Sequence, residues 1–265
     1  MGSGSCRPGF SLRPLSVVAL LVLAGCAGPP APDVRVAASA NFYATALELA
    51  ADFGARSGLR VEVVSGSTGK HVAQILQGAP FDLLLAADTT APRVLDASGG
   101  VQDAWIYAYG ALMAVSRDGN PSELLMGDRV ALANAALAPY GRAAEEVLGA
   151  LESRALRVRG ENVSQAYQMV AAGGVPVGLV SRSQLPAATA AGYRVWSVPD
   201  SLHTPIVQGA ALLRDAPAGA SEFADWLRGP EAAAIIRDAG YIPGVPESLP
   251  ITPAPPRSDY VSHAP

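Results

Sequence analysis

A short β-rich run, a small polar loop, then apolar residues at helical spacing: this order recurs along the chain. Residues 34–38 form the first run, Ser39, Ala40 and Asn41 the loop, and Phe42, Ala46, Leu49, Ala50 and Phe53 the apolar stripe of a helix that stops at Gly58. The pattern restarts with residues 59–64, the loop 65–69, and a helix carrying Val72, Ile75 and Leu76 up to Gly78. Residues 81–87 read as a buried strand. Further on, 129–133, the loop 134–140 and a helix through Ala143, Val147 and Leu151 repeat the order, as do 156–158, the loop 160–162 and a helix with Ala166, Met169 and Val170. Alternating β and α at this spacing predicts an α/β fold of parallel sheets with helices on both faces. In such sheets a ligand sits beyond the carboxyl ends of the strands. The loops found there are polar, nearly uncharged, and each precedes a helix N-terminus, where free N–H groups and the helix dipole favour an anion. Ser, Thr and Asn are also the ordinary N-cap residues, so each loop taken alone reads first as an ordinary helix start.

Composition narrows the function. Half of the residues are hydrophobic, which supplies a core for one large domain or two lobes, and the net charge is −4 with Lys70 the only lysine. There is no basic stripe of the kind a nucleic acid requires, and no internal repeat or heptad pattern. Arg7 and Arg13 precede an apolar run, 15–24, too short to span a bilayer, which ends at small residues and Cys26. That is the composition of a signal peptide. The residues LAGC resemble a bacterial lipobox, which implies that cleavage leaves Cys26 as a lipidated first residue. Cys6 falls in the removed segment, so Cys26 has no disulfide partner. Proline-rich stretches follow Cys26 and close the chain, and read as a tether and a disordered tail.

Candidate chemistry is sparse. SGSTGK lacks the first glycine and the final Ser or Thr of a phosphate-binding P-loop, since Val64 and His71 hold those positions. Ser67 and Lys70 fit the SxxK of penicillin-recognising serine enzymes, but a KTG element needs a second lysine and the chain has none. An acyl-enzyme at Ser67 and Lys70 is therefore a remote alternative. The scattered His71, His203 and His263 make no zinc motif. Asp82 and Asp88 flank the strand FDLLLAAD and fit a turn and a cap for the segment after it. Trp105, Trp196 and Trp226 read as packing residues.

Taken together, the loops resemble the substrate-binding proteins of molybdate ABC transporters in order and spacing. AASANF is followed by GSTGKHVAQILQGAPFDLLLAAD, LAPYGRAAEEVL, GENVSQAYQMV, VGLVSRSQL, TPIVQGAALL and FADWLRGPEAAAIIRDAGYIP. The resemblance implies a two-lobed periplasmic-binding fold of type II, each lobe a mostly parallel sheet flanked by helices. Residues 1–25 would be the signal peptide, 26–33 the lipid-bearing Cys26 and its tether, 34–108 and 206–243 one lobe, 109–205 the other, and 244–265 the tail. It further implies oxyanion contacts from Ala40, Asn41, Ser67 and Thr68 in the first lobe and Tyr140 and Val163 in the second. Ala40, Tyr140 and Val163 would act mainly through backbone N–H groups. Ser39 and Ser181 stand at the margin of this set. Many relatives carry serine at Thr68, and some carry at Ser181 a tyrosine with longer reach.

The implied role is that of a monomeric receptor, not an enzyme, with no cofactor. It would capture molybdate, and tungstate with it, outside the cytoplasm and hand it to a permease and its ATPase while held at a membrane through Cys26. The alternative on the same fold is another small oxyanion or solute. A site made of N–H and hydroxyl donors suits an ion whose oxygens are all acceptors. A protonated anion such as hydrogen phosphate would set donor against donor, at about 1 to 3 kcal/mol for each buried group left unpaired.

Overall fold

The computed structural model describes residues 1–2 and 31–244. Residues 3–30 and 245–265, on which the expected signal peptide, Cys26 with most of its tether, and the tail fall, lie outside the described residues. From Val34 the chain runs β1 (Val34–Ser39), α1 (Tyr43–Ser57), β2 (Val61–Gly66), α2 (Thr68–Leu76), β3 (Leu83–Leu85), α3 (Thr90–Ala97) and β4 (Val101–Gly110). It crosses at Ala111 into β5 (Leu112–Ser116), α4 (Pro121–Leu124), β6 (Arg129–Ala133), α5 (Pro139–Ala150), β7 (Leu156–Gly160), α6 (Val163–Ala171), β8 (Val177–Ser181), α7 (Leu185–Ala190) and β9 (Arg194–Ser197). It returns through β10 (Ile206–Leu213), α8 (Ala218–Leu227), α9 (Pro230–Asp238) and β11 (Ile242–Pro243).

Two sheets result, ordered β11-β4-β10-β3-β1-β2 and β7-β6-β8-β5-β9. The strands that alternate with helices pair in parallel: β1 with β2 and β3, and β6 with β7 and β8. Each sheet is then completed by antiparallel pairs. In the first, β10 returns between β3 and β4, and in the second β5 lies between β8 and β9. Both sheets are therefore mixed. The long β4 carries no helical or clean alternating period because it pairs with β10 across a register shift at Gln208 and Gly209.

Helices cover both faces of the first sheet. Phe42, Leu49, Phe53, Trp105 and Phe223 fill one face, and Val72, Leu84, Leu95 and Ala211 the other. Leu112, Leu132, Val147, Leu148 and Leu179 form the main core of the second sheet. Each such side chain contributes about 1.5 to 3 kcal/mol when fully buried. The predicted helix after Asn41 buries Ala46, Leu49, Ala50 and Phe53, and Gly58 ends it in the left-handed conformation, φ 78°, donating its N–H to the Gly54 carbonyl.

His71 is buried on α2, with Nδ1 3.3 Å from Gln74 Oε1 and Nε2 3.2 Å from the Ala38 carbonyl. Burial holds its pKa below the ordinary 6.5, against the two hydrogen-bond acceptors, which pull the other way. The unfolded chain therefore takes up a proton that the folded chain resists, and stability falls as the pH drops below about 6.5. Chemical denaturation from pH 7.5 to 5 is expected to show that slope, and His71→Gln to flatten it.

Candidate functional site

The carboxyl ends of β1, β2 and β3 face those of β6 and β7 across the gap between the sheets. One small cavity lies there, about 10 Å³, lined by Ser39, Ala40, Asn41, Gly66, Ser67, Thr68 and Ala87 from one lobe and Ala138, Pro139, Tyr140, Asn162 and Val163 from the other. All the residues expected at an oxyanion site are in this lining except Ser181, and the marginal Ser39 is among them. Ala87, missed in the sequence reading, also lines the cavity. It follows the buried strand β3 and obeys the same carboxyl-end rule, so the signal was present.

Three helices begin at the cavity. Thr68 and Val163 are the first residues of α2 and α6, and Tyr140 follows Pro139 at the start of α5. First-turn N–H groups have no carbonyl partner inside their own helix, and they lie at the positive end of its dipole. The start of α5 is held against the end of β6 by Gly141. A β-carbon there would come within 2.8 Å of the Ala135 nitrogen and the Asn134 carbonyl carbon, so only glycine lets Tyr140 approach this closely.

Capping and ligand-facing roles now separate. Asn162 is a true N-cap, its Oδ1 accepting from the Gln165 N–H at 3.1 Å. Ser67 occupies the cap position of α2 but makes no capping bond, and its buried hydroxyl has no hydrogen-bond partner. Ser39 Oγ and Thr68 Oγ1 lie 2.6 Å apart, and both accept from the Ala87 N–H at 3.1 Å. Their mutual contact uses one of the two hydroxyl hydrogens, so one hydroxyl of the pair is left to donate to a guest.

Two expectations change in detail. The Ala40 N–H is already donated to the Gly66 carbonyl at 2.8 Å, because pairing of β1 with β2 continues one residue past the strand, so Ala40 supplies wall and no free N–H. The Asn41 amide nitrogen turns away to Gln208 Oε1 at 2.7 Å and Tyr241 Oη at 3.3 Å, leaving the backbone N–H as the donor Asn41 can offer a guest. Ser181 sits one step behind the lining, donating to Tyr140 Oη at 3.1 Å.

Asn41, Tyr107, Tyr140, Ser181, Gln208 and Tyr241 form a buried polar network that joins the lobes behind the cavity. Burial raises the pKa of Tyr107, Tyr140 and Tyr241, so all three stay neutral donors. Asp82 and Asp88 are not a catalytic pair. Asp88 accepts from the Ala91 N–H at 2.9 Å, the cap expected of it, whereas Asp82 accepts from the Arg35 N–H at 2.7 Å on the neighbouring strand β1 and not within a local turn. Nor do Ser67 and Lys70 form an acylation site, since Lys70 Nζ pairs with Glu161 at 2.7 Å and no base is bonded to the Ser67 hydroxyl. A wider space of about 360 Å³ lies on the hinge side, lined by Asp88, Arg142, Glu146 and Thr204 among others. The starts of α3 and α5 reach it, but Asp88 and Glu146 put carboxylates in its lining, which oppose an anion.

A profile of the bacterial extracellular solute-binding proteins matches residues 34–242. The molybdate-binding protein ModA of Azotobacter vinelandii is 36% identical over 249 residues, 88% of this chain and 98% of that protein. The chain belongs to the bacterial extracellular solute-binding protein family, among its molybdate-binding members. ModA of Rhodobacter capsulatus is 38% identical over 239 residues, covering 84% of this chain and 94% of its own length. The solved periplasmic molybdate-binding protein of Azotobacter vinelandii superposes with a TM-score of 0.72 at 32% identity, over 81% of this chain and all of that one. These relatives are binding proteins, in keeping with a cavity that holds donors and no nucleophile–base pair.

Proposed function

We infer that this chain is the extracytoplasmic receptor of an ABC importer and that its cargo is molybdate. The observation that carries the reading is a cavity where three helix starts meet hydroxyls of Ser39, Ser67 and Thr68, with no acidic or basic side chain in the lining. Such a site offers donors and dipole ends to a dianion. No carboxylate in the lining accepts from a protonated oxyanion, and the size of the cavity suits a compact ion over an organic solute. Ser67 and Thr68 would donate through hydroxyls, with Ser39 donating to Thr68 behind them, and Asn41, Tyr140 and Val163 through backbone N–H groups. Tungstate, of the same charge and shape, is included in the reading.

Domain organisation and anchoring belong to the same proposal. Residues 34–108 with 206–243 form one lobe and 109–205 the other, and closure of the two around the anion delivers a loaded receptor to the permease. The receptor works as a monomer, and Cys26, lipidated after removal of residues 1–25, holds it at the membrane. Calorimetric titration with molybdate, tungstate, sulfate and phosphate tests the cargo. Strong binding of the first two and weak or absent binding of sulfate and phosphate is expected. No heat with molybdate, or equal affinity for sulfate, overturns it.

A further inference from the structure

Lys70, the chain's only lysine, has no part in the anion site, yet it stands two residues beyond Thr68 in the cavity wall. Its ammonium crosses to the other lobe and meets Glu161 Oε1 at 2.7 Å, next to the cavity residue Asn162. A second pair repeats the arrangement. Asp88, next to Ala87, meets Arg142, two residues beyond Tyr140, at 2.6 Å. Each ion pair thus joins one lobe to the other within two residues of the cavity, one on the Thr68 and Asn162 side and one on the Ala87 and Tyr140 side. Three uncharged bonds run across the same gap: Ser164 Oγ to the Ala40 carbonyl at 3.2 Å, Ser183 Oγ to the Asn41 carbonyl at 2.8 Å, and the Gly69 N–H to the Leu137 carbonyl at 3.0 Å.

We propose that Lys70 and Glu161 are positioning residues that form a clasp across the mouth of the site, stabilising the closed receptor and setting how long molybdate is held. The inference rests on the molybdate reading for its cargo but not for the clasp itself. None of these cross-lobe bonds requires the anion, so they favour closure before it arrives. A receptor whose competent state is more populated binds its ligand more tightly by that factor. Lys70 is 46% and Glu161 52% exposed, so the pair is solvent-screened and its contribution is modest and salt-dependent. The neighbouring hydrogen bonds of Ser164 and Ser183 are neutral, which leaves the ion pairs to carry the salt dependence.

The test uses Lys70→Met, Glu161→Gln and the exchanged pair Lys70→Glu with Glu161→Lys. Molybdate dissociation is followed by a chase experiment at low and high salt. Each single variant is expected to dissociate about two- to fivefold faster, with the salt dependence of the rate reduced and the thermal midpoint of the ligand-free protein lowered by no more than about 4 °C. The exchanged pair is expected to recover most of the loss. Unchanged dissociation in both single variants, or loss without recovery on exchange, overturns the clasp. A readout independent of cargo is the acetylation rate of Lys70 followed by peptide mapping. Glu161→Gln should speed it, and an unchanged rate counts against the pair. If the wild-type protein takes no molybdate, the cargo reading fails while the acetylation result still decides the clasp.

Discussion

Thr68→Val is expected to weaken molybdate binding by about tenfold to about 150-fold while leaving the fold intact. Valine keeps the branched shape of threonine, so the wall of the cavity is preserved and what is lost is one hydroxyl. A hydrogen bond to a charged group contributes about 1.5 to 3 kcal/mol, and each 1.4 kcal/mol is a factor of ten in affinity. The Ala87 N–H, which Thr68 Oγ1 accepts, does not become an orphan, because Ser39 Oγ accepts the same N–H at the same 3.1 Å. Stability therefore falls little. Thr68→Ser restores the hydroxyl and is expected to bind within a few-fold of the wild type. Calorimetry on the three proteins checks the order, and equal affinity in wild type and Thr68→Val would sink the assignment of Thr68 to the anion.

The sequence showed the cavity loops because each is a local event. A strand ends, a few small polar residues turn, and a helix begins, and all of that is written in adjacent positions. Thr68, Tyr140 and Val163 are legible for that reason, and Ala87 would have been if the strand before it had been followed to its end. What cannot be read locally is which side chain a polar residue faces. Asn41 lies in the predicted loop, but its amide bonds to Gln208, 167 positions away, a lone polar residue inside the apolar strand β10. Ser67 and Asn162 look alike as candidate caps, and only tertiary structure separates the true cap from the free hydroxyl. The sheets show the same division. Parallel strands that alternate with helices carry their own pattern, whereas β4 and β10 depend on each other across a long connection. The cross-lobe partners Glu161 and Arg142 are invisible for the same reason, each being an ordinary charged residue until the lobes meet.

Gly110→Ala is expected to cost molybdate affinity about tenfold or more and to lower the thermal midpoint, although it adds a single methyl group at the end of β4. That methyl would overlap the Tyr140 hydroxyl and come within 3.1 Å of both the Tyr140 ring carbon bearing it and Gln208 Nε2. Elsewhere a side-chain tip swings aside at little cost. Here Tyr140 is 2% exposed, its hydroxyl is fixed by Ser181 at 3.1 Å, and its backbone opens α5 under the close contact that Gly141 permits. Overpacking of this kind costs about 1 to 3 kcal/mol, which for a domain of this size moves the midpoint by about 2 to 4 °C per kcal/mol. Gly110 precedes the crossing from one lobe to the other, so the same methyl pushes the second lobe's site residue away from the first lobe and opposes closure. Tyr140→Phe removes the atom that the methyl strikes. The double variant Gly110→Ala with Tyr140→Phe is therefore expected to regain part of the midpoint and part of the affinity, since the anion contact assigned to Tyr140 is its backbone N–H and survives the change. A double variant no better than Gly110→Ala alone in either measurement would show that the strain lies in the crossing itself and not against Tyr140.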